Sequence, residues 1–278
     1  MRYAEYLPDP RLRRLVHCYW VFESEAGSAA GPDETIVPDG HPELIFHYRD
    51  SFSEVIAHGR GEIVDRQPAS LFAGQLTRPL VLRGNGAAGM IGVRFQPWGA
   101  RLLLGVPMTE TTDRWIAQRD LPGRWLGGVD DTICEAGGDR ERIAAIERAL
   151  LARLVLRAPR VDEIVVACVE AMRNPPEPVR LDAMSLRFGL SARQLERRFN
   201  DSVGMSPKLL ASVLRFRALF DALSATPRSP WLAAAIDSGY FDQAHMIRDF
   251  RRFAGAPPQS FLRSLSGLSA ALVSAENR

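Results

Sequence analysis

The sequence predicts an α+β chain. An N-terminal β-rich unit, barrel-like or a sandwich, precedes an all-α unit that holds one helix-turn-helix arrangement twice. Three observations carry this. Short runs of strand formers, punctuated by Gly, Pro, Asp and Arg, fill the first 110 residues. Past residue 160 the apolar residues recur at helical spacing. Within that stretch, a short helix, a glycine, a cap residue and a second helix follow one another in two places.

Composition bounds the rest. The 278 residues exceed what one ordinary core needs, and 46% hydrophobic with 24% charged residues is globular usage. No apolar run approaches the length of a membrane-spanning helix. The opening MRYAEYLPDPRLRR has neither an apolar core nor a cleavage site of a secretory signal, so no membrane association and a cytoplasmic location are expected. Cys18, Cys134 and Cys168 are scattered and form no CxxC pair, which argues against disulfides and closed zinc sites. No cofactor is expected. Net charge is only +2, but its distribution is uneven: residues from 160 onward carry 16 Lys+Arg against 12 Asp+Glu. Thirty-four of the 35 basic residues are Arg, a side chain suited to phosphates and base edges, although genome composition produces the same bias.

The N-terminal elements follow in order. IVPDGHPELIFHY (36–48) turns at Pro38-Asp39-Gly40 and runs into a strand; 54–57, 71–74 and 80–83 read as further short strands. GMIGVRFQPWGA (89–100) reads as a strand and a turn. A helix is expected over 139–156, with Asp139 as cap and Ile143, Ile146, Ala149, Leu150 and Leu154 on one face. That face would pack on its own β-unit or pair two subunits. RAPR (157–160) breaks the helix and marks the boundary between a first unit, 1–157, and a second, 160–265; residues 266–278 read as a tail.

The second unit opens with Val161, Ile164, Val165, Cys168 and Met172 on one helical face, which makes Cys168 a core thiol. NPPEP ends that helix. Five short helices are expected near 180–188, 192–201, 206–223, 231–238 and 242–253, with a last one beginning at Pro258.

The repeated arrangement is LDAMSLRFGLSARQLERRFNDSVGMSP and WLAAAIDSGYFDQAHMIRDFRRFAGAPP. Ser185 and Ala235 stand four residues before Gly189 and Gly239. A small residue lets two helices cross closely, and a glycine supplies left-handed turn geometry. Ser191 and Asp242 then cap the second helices, Ser191 with Gln194 in a capping-box pattern. At 100° per residue, Leu195 and Phe199 face inward in the first, while Arg193, Arg197 and Asn200 face outward with Glu196 and Gln194 on the flanks. In the second, Met246, Phe250 and Phe253 face inward. Ala244, Arg248, Arg251 and Arg252 face outward, His245 lies on the flank, and Gln243 sits at the exposed first turn. Such faces suit base edges and phosphates, and Ala244 a thymine methyl. One such helix alone is better read as a solvated surface; two, each with its glycine and cap, reverse that and favour nucleic acid. Between them, SPKLLASVLRFRALFDAL (206–223) is a helix about 27 Å long. Major grooves on one side of B-DNA recur about every 34 Å, so one chain reaches two adjacent groove segments.

Residues 160–265 resemble the DNA-binding domain of AraC/XylS-type transcription regulators, on GLSARQLERRF…GMSP and SGYFDQAHMIRDFRRFAGAPPQSFLR. The resemblance implies a sequence-specific regulator, not an enzyme. Its partner would be double-stranded DNA, with RNA polymerase and a small-molecule effector as further candidates and either a monomer or a homodimer as the working state. It places base reading on Arg193, Glu196 and Arg197, and on Gln243, Ala244, His245 and Arg248. Ser185 and Met184 depart from the family's usual Ala and Leu. YLPDPRLRRLVHCYW, VPDGHPELIFHY and GVRFQPWGARLLLGVP resemble the β-rich N-terminal unit of a subgroup of these regulators, which implies sensing or oligomerisation.

Other chemistry is weighed against this. His41, Glu43, His47 and His58 invite a metal-dependent, cupin-like enzyme with the helical unit as passenger, but the spacing misses H-x-H-x₃₋₄-E. No metal ligand is therefore assigned. No nucleophile elbow or P-loop is present. GNGAAG (84–89) reads as a hairpin turn. Trp20, Phe46, Tyr48 and Phe95 are candidates for a ligand pocket in a barrel mouth, with ordinary core as the alternative.

Overall fold

The computed structural model describes residues 1–25, 33–59, 61–157, 160–173, 181–225, 231–265 and 267–275. The breaks expected at Ala158-Pro159 and Asn174–Pro178 lie outside the described residues.

Among the described residues, ten strands form two antiparallel sheets. The larger has the order β1 (Arg2–Tyr6), β2 (Val16–Glu23), β9 (Gly89–Phe95), β4 (Glu43–His47), β7 (Ser70–Ala73), β10 (Trp115–Ala117). The smaller has the order β3 (Glu34–Ile36), β8 (Leu80–Arg83), β5 (Ser53–His58), β6 (Gly61–Arg66). The sheets do not close on each other, so the barrel expectation gives way to its sandwich alternative. GNGAAG joins β8 in one sheet to β9 in the other, and so is a crossover rather than a hairpin turn. The sequence reading has no strand at 16–23. VHCYWVFE is buried on both faces, and a strand covered on both sides shows no polar alternation to betray it.

The larger sheet is covered twice. On one face Tyr19, Val21, Leu44, Phe46, Ile91, Val93 and Phe95 pack with residues of α1 (Gly99–Leu104), α2 (Val129–Glu135) and α3 (Asp139–Arg157). On the other, Trp20, Phe22 and Met90 meet Leu82 of the smaller sheet and Phe52, which directly precedes β5. Because strand side chains alternate, each pair of neighbours in VHCYWVFE serves both layers. The Trp20 ring lies across Gly92, where a Cβ would come within 2.1 Å of it; only glycine leaves that room.

The C-terminal half contains α4 (Glu163–Arg173), α5 (Leu181–Arg187), α6 (Ala192–Val203), α7 (Pro207–Ala225), α8 (Trp231–Asp237), α9 (Gln243–Ala254), α10 (Pro258–Ser264) and α11 (Gly267–Ala275). Phe216 of α7 is its hub, with ring centroids of Phe250 and Phe253 at 5.0 and 5.3 Å. Cys168 is fully buried among these residues. The last helix, α11, reaches back to the sandwich: Leu268 packs with Trp20 and Phe52, and Ser269 Oγ donates to Glu34 at 2.6 Å.

Candidate nucleic-acid interface and interior cavity

The two helix-turn-helix units are built by the same bonds. After α5, Gly189 turns with φ +62° and Leu190 N–H donates to Ser185 C=O at 2.9 Å. After α8, Gly239 turns with φ +84° and Tyr240 N–H donates to Ala235 C=O at 2.9 Å. Both ends are left-handed glycine stops. Ser191 then caps α6, accepting from Gln194 N–H at 3.2 Å while Gln194 Oε1 accepts from Ser191 N–H at 2.9 Å. Asp242 caps α9 by accepting from His245 N–H at 2.6 Å. Each second helix ends on a further left-handed glycine, Gly204 or Gly255. The second turn is one residue longer, which leaves Phe241 exposed beside the start of α9.

On α6, Leu195, Phe199 and Val203 are buried, while Arg193, Glu196 and Arg197 are exposed. On α9, Met246, Phe250 and Phe253 are buried, and Gln243, Ala244 and Arg248 are exposed, as are Arg251 and Arg252. Six of the seven residues nominated for base reading thus stand on open helix faces. His245 is the seventh, and it turns inward. Its ring lies edge-on to Tyr240, with centroids 5.1 Å apart, and Nε2 is 3.3 Å from Arg215 and 3.8 Å from Asp249. Asp249 is buried and pairs with Arg215 of α7 at 3.3 Å. This cluster ties α9 to the connecting helix. The wheel that put Met246, Phe250 and Phe253 inward puts Asp249 on the same arc, so it was there to be found.

The two halves share more than a linker. Arg101 of α1 pairs with Asp201 of α6 at 3.0 Å, and Thr112 Oγ1 donates to Gly204 C=O at 2.7 Å. Trp98 and Val37 are part of the C-terminal apolar core. Arg173 donates to Gln96 Oε1 at 3.1 Å and lies 3.2 Å from His41 Nε2. The first exposed helix is therefore held at its far end by the N-terminal half.

A cavity of about 90 Å³ lies between the sheets, roofed by residues of α7, α10 and α11. Glu43, Ile45 and His47 of β4 face it, with Trp20, Met90 and Arg94 from the neighbouring strands. Of the aromatic candidates, Trp20 lines this space. Phe46 and Phe95 point to the opposite face of the same sheet, against the helices. Tyr48 lies past the strand end, donating to Glu23 at 2.9 Å under the Arg142 guanidinium. Strand parity divides these residues, and a list of aromatics does not encode parity.

The metal candidates are dispersed. His41 Nδ1 lies 2.6 Å from Phe95 C=O and so donates to it, leaving Nε2 to accept from Arg173. Burial pushes its pKa down to about 3. Glu43 accepts from Arg94 Nε at 2.9 Å and from Trp20 Nε1 at 3.0 Å. Burial holds its carboxyl up at about 7, against the pull of Arg94. His47 is buried, which brings it down to about 4, and His58 is exposed at the end of β5. Among the described residues no group of three His, Cys, Asp or Glu is placed to hold a metal ion. Likewise, no described helix is long and apolar enough to cross a membrane.

Residues 184–264 match a family described as a helix-turn-helix domain. The residues that carry the match are those of the two capped, glycine-turned helix pairs. They form an AraC-type helix-turn-helix domain. DNA binding and transcription regulation come with this AraC-type domain. Residues 4–117, the sandwich, match a family described as a domain of unknown function (DUF6597). No curated protein matches the chain. Among solved structures, ToxT from Vibrio cholerae is similar at 8% identity and TM-score 0.48, over 90% of this chain and 98% of that one. A fatty-acid-bound structure of wild-type ToxT is similar at 11% identity and TM-score 0.46, over 90% and 95%. Hydroxypropylphosphonic acid epoxidase from S. wedmorenis is similar at 16% identity and TM-score 0.25, over 34% of this chain and 49% of that one.

Proposed function

We propose that this protein regulates transcription by reading two adjacent major-groove segments of one duplex with α6 and α9. The observation that carries the reading is the pair of capped helices, each exposing arginines, with α7, a helix of 19 residues, between their two helix-turn-helix units. At 1.5 Å per residue that helix is about 28 Å long, comparable to the groove repeat. Arg193, Glu196 and Arg197 read one segment; Gln243, Ala244 and Arg248 read the other. His245 contributes by fixing α9 on α7 as much as by reaching a base. The protein works in the cytoplasm, where the duplex is, and its N-terminal unit (1–157) modulates the DNA-binding unit (160–265), through a small molecule or through subunit pairing.

The test begins with selection of bound sites from random duplexes by the full chain. Fluorescence anisotropy on the selected site then compares Arg197→Ala and Arg248→Ala with the parent. Each is expected to lose about 1–3 kcal/mol, with relaxed preference at one position of its own half-site for a base contact. A lost phosphate contact would weaken all sequences alike. Affinity should fall steeply with salt, since each neutralised phosphate releases counterions. Undiminished binding in both variants would defeat the assignment.

A further inference from the structure

We propose that Phe241 reads a base: in the complex with a duplex its ring covers the 5-methyl group of a thymine at the edge of the segment met by α9. This rests on the regulator reading above and extends it to a residue in the turn, ahead of α9 itself.

The turn presents the ring. Phe241 is 92% exposed, whereas every other phenylalanine of the chain is buried or half-buried. On its N-terminal side, Tyr240 donates its N–H to Ala235 C=O. The Tyr240 ring is buried against His245 and the Arg215 guanidinium, which lies 5.0 Å from the ring centroid. On the other side, Asp242 is extended, at φ −152° and ψ 170°, and its carboxylate accepts from His245 N–H. With the backbone held on both sides, Phe241 stands outward on a fixed platform. The first unit has no counterpart: one residue, Leu190, separates Gly189 from Ser191, while two separate Gly239 from Asp242.

Exposure alone decides nothing, since single apolar side chains are common on surfaces. Position decides. Gln243 and Ala244, the exposed residues of the first turn of α9, follow directly after the cap. In a helix-turn-helix the N-terminal residues of the second helix are the ones that reach base edges. Phe241 therefore stands at the groove, beside the residues that meet bases.

The ring sets the class of contact. Phenylalanine offers a phosphate no hydrogen bond, and its ring face carries the negative side of the aromatic quadrupole. Among base edges in the major groove the apolar group is the 5-methyl of thymine, and phenylalanine is one of the side chains that meet it. Ala244 also suits a methyl, but its single side-chain carbon reaches only a base directly beneath α9. Phe241 reaches past the end of the helix. The segment read by the second unit is thereby longer than the one read by the first, on the side of the α9 N-terminus.

The experiment uses the full chain and the selected duplex. The α9 segment is the one whose base preference Gln243→Ala or Arg248→Ala relaxes. Each thymine of that segment, on either strand, is replaced in turn by deoxyuridine, which removes the methyl and nothing else. Fluorescence anisotropy at one salt concentration then compares the parent with Phe241→Ala, Phe241→Leu and Ala244→Gly; melting curves confirm that all three fold. One replacement is expected to weaken the parent about fourfold, the weight of one buried methyl group. Phe241→Ala should weaken binding to the thymine duplex at least as much and be indifferent to that replacement. Phe241→Leu should keep most of the affinity, and Ala244→Gly should keep the response at that position. A Phe241→Ala variant that binds as tightly as the parent would overturn the contact. So would a parent indifferent to every methyl, or an α9 segment without thymine. A Phe241→Ala variant that binds weakly yet keeps the parent's response to every replacement would place the ring on deoxyribose, which is the same in every nucleotide, and would overturn base reading. A chain that binds the duplex but fails these comparisons loses this contact alone, whereas a chain that binds no duplex removes the regulator reading and the contact with it.

Discussion

Ser185 departs from the residue usual at its position, and the geometry says what the departure costs. Its backbone carbonyl accepts from Leu190 N–H and closes the first turn, a job any residue performs. Its side chain is buried, and Oγ finds no partner among the described residues. An unsatisfied buried hydroxyl costs on the order of 1–3 kcal/mol. Ala235 fills the matching place in the second turn without that cost. Ser185→Ala is therefore expected to stabilise the C-terminal half by about 1 kcal/mol and leave duplex affinity unchanged, read by urea denaturation and anisotropy. A loss of stability would mean the hydroxyl is satisfied after all. The exposed positions of α6 and α9 were legible in the sequence because helical periodicity separates Leu195 and Phe199 from Arg193 and Arg197. His245 was less so. Its inward turn depends on Arg215, thirty residues away on another helix, and no local pattern carries that contact.

Helices with strong local signals were the most readable parts of the chain. Ser191 and Gln194 announce the start of α6, and the two bonds of the capping box are both made. Removing the cap leaves N-terminal N–H groups of α6 unsatisfied. Ser191→Ala should cost about 1 kcal/mol. Because the far end of α6 is bonded to Thr112 and Arg101, the loss should appear as fraying of its first turn rather than release of the whole helix. Amide hydrogen exchange would register it as faster exchange at Gln194 and Leu195, with Gly204 unchanged; uniform acceleration along α6 would contradict this. The strands were harder. β4 and β8 stand between clear turn residues, but β2 is apolar on both faces and β6 is exposed along its length, so neither alternates. The same blindness to parity scattered the aromatic candidates between the cavity and the opposite core. Arg94 was missed as a cavity residue because a charged side chain in a strand reads as solvent-facing, whereas here Glu43, Asp39 and Glu5 surround it in the interior.

Those buried ionisable groups make the stability of the assembled halves depend on pH in a way that can be worked through. His47 and His41 are held near 4 and 3 by burial, below the 6.5 of the free side chain. Between those values the unfolded chain binds protons that the folded chain refuses. Each histidine thus contributes stability that is complete above pH 6.5 and is lost as pH falls, at about 1.4 kcal/mol per pH unit. Glu43 runs the other way. Its carboxyl is raised from 4.5 to about 7 by burial, so the folded chain holds a proton that the unfolded chain releases. That stability is full below pH 4.5 and disappears as pH rises through 7. Between pH 4.5 and 6.5 these three groups together balance at one proton; His17, lowered by burial, adds to that slope, and Asp130 and Asp221, raised by burial, subtract from it. The share of His47 alone is about 1.4 kcal/mol lost for each unit of acidification across that window. His47→Gln removes that share and should reduce the slope between pH 4.5 and 6.5 by about 1.4 kcal/mol per unit, while leaving stability at pH 7.5 within about 1 kcal/mol of the parent. Denaturant midpoints collected at half-unit intervals measure both slopes. Equal slopes for parent and variant would show that the imidazole is open to protons in the native state.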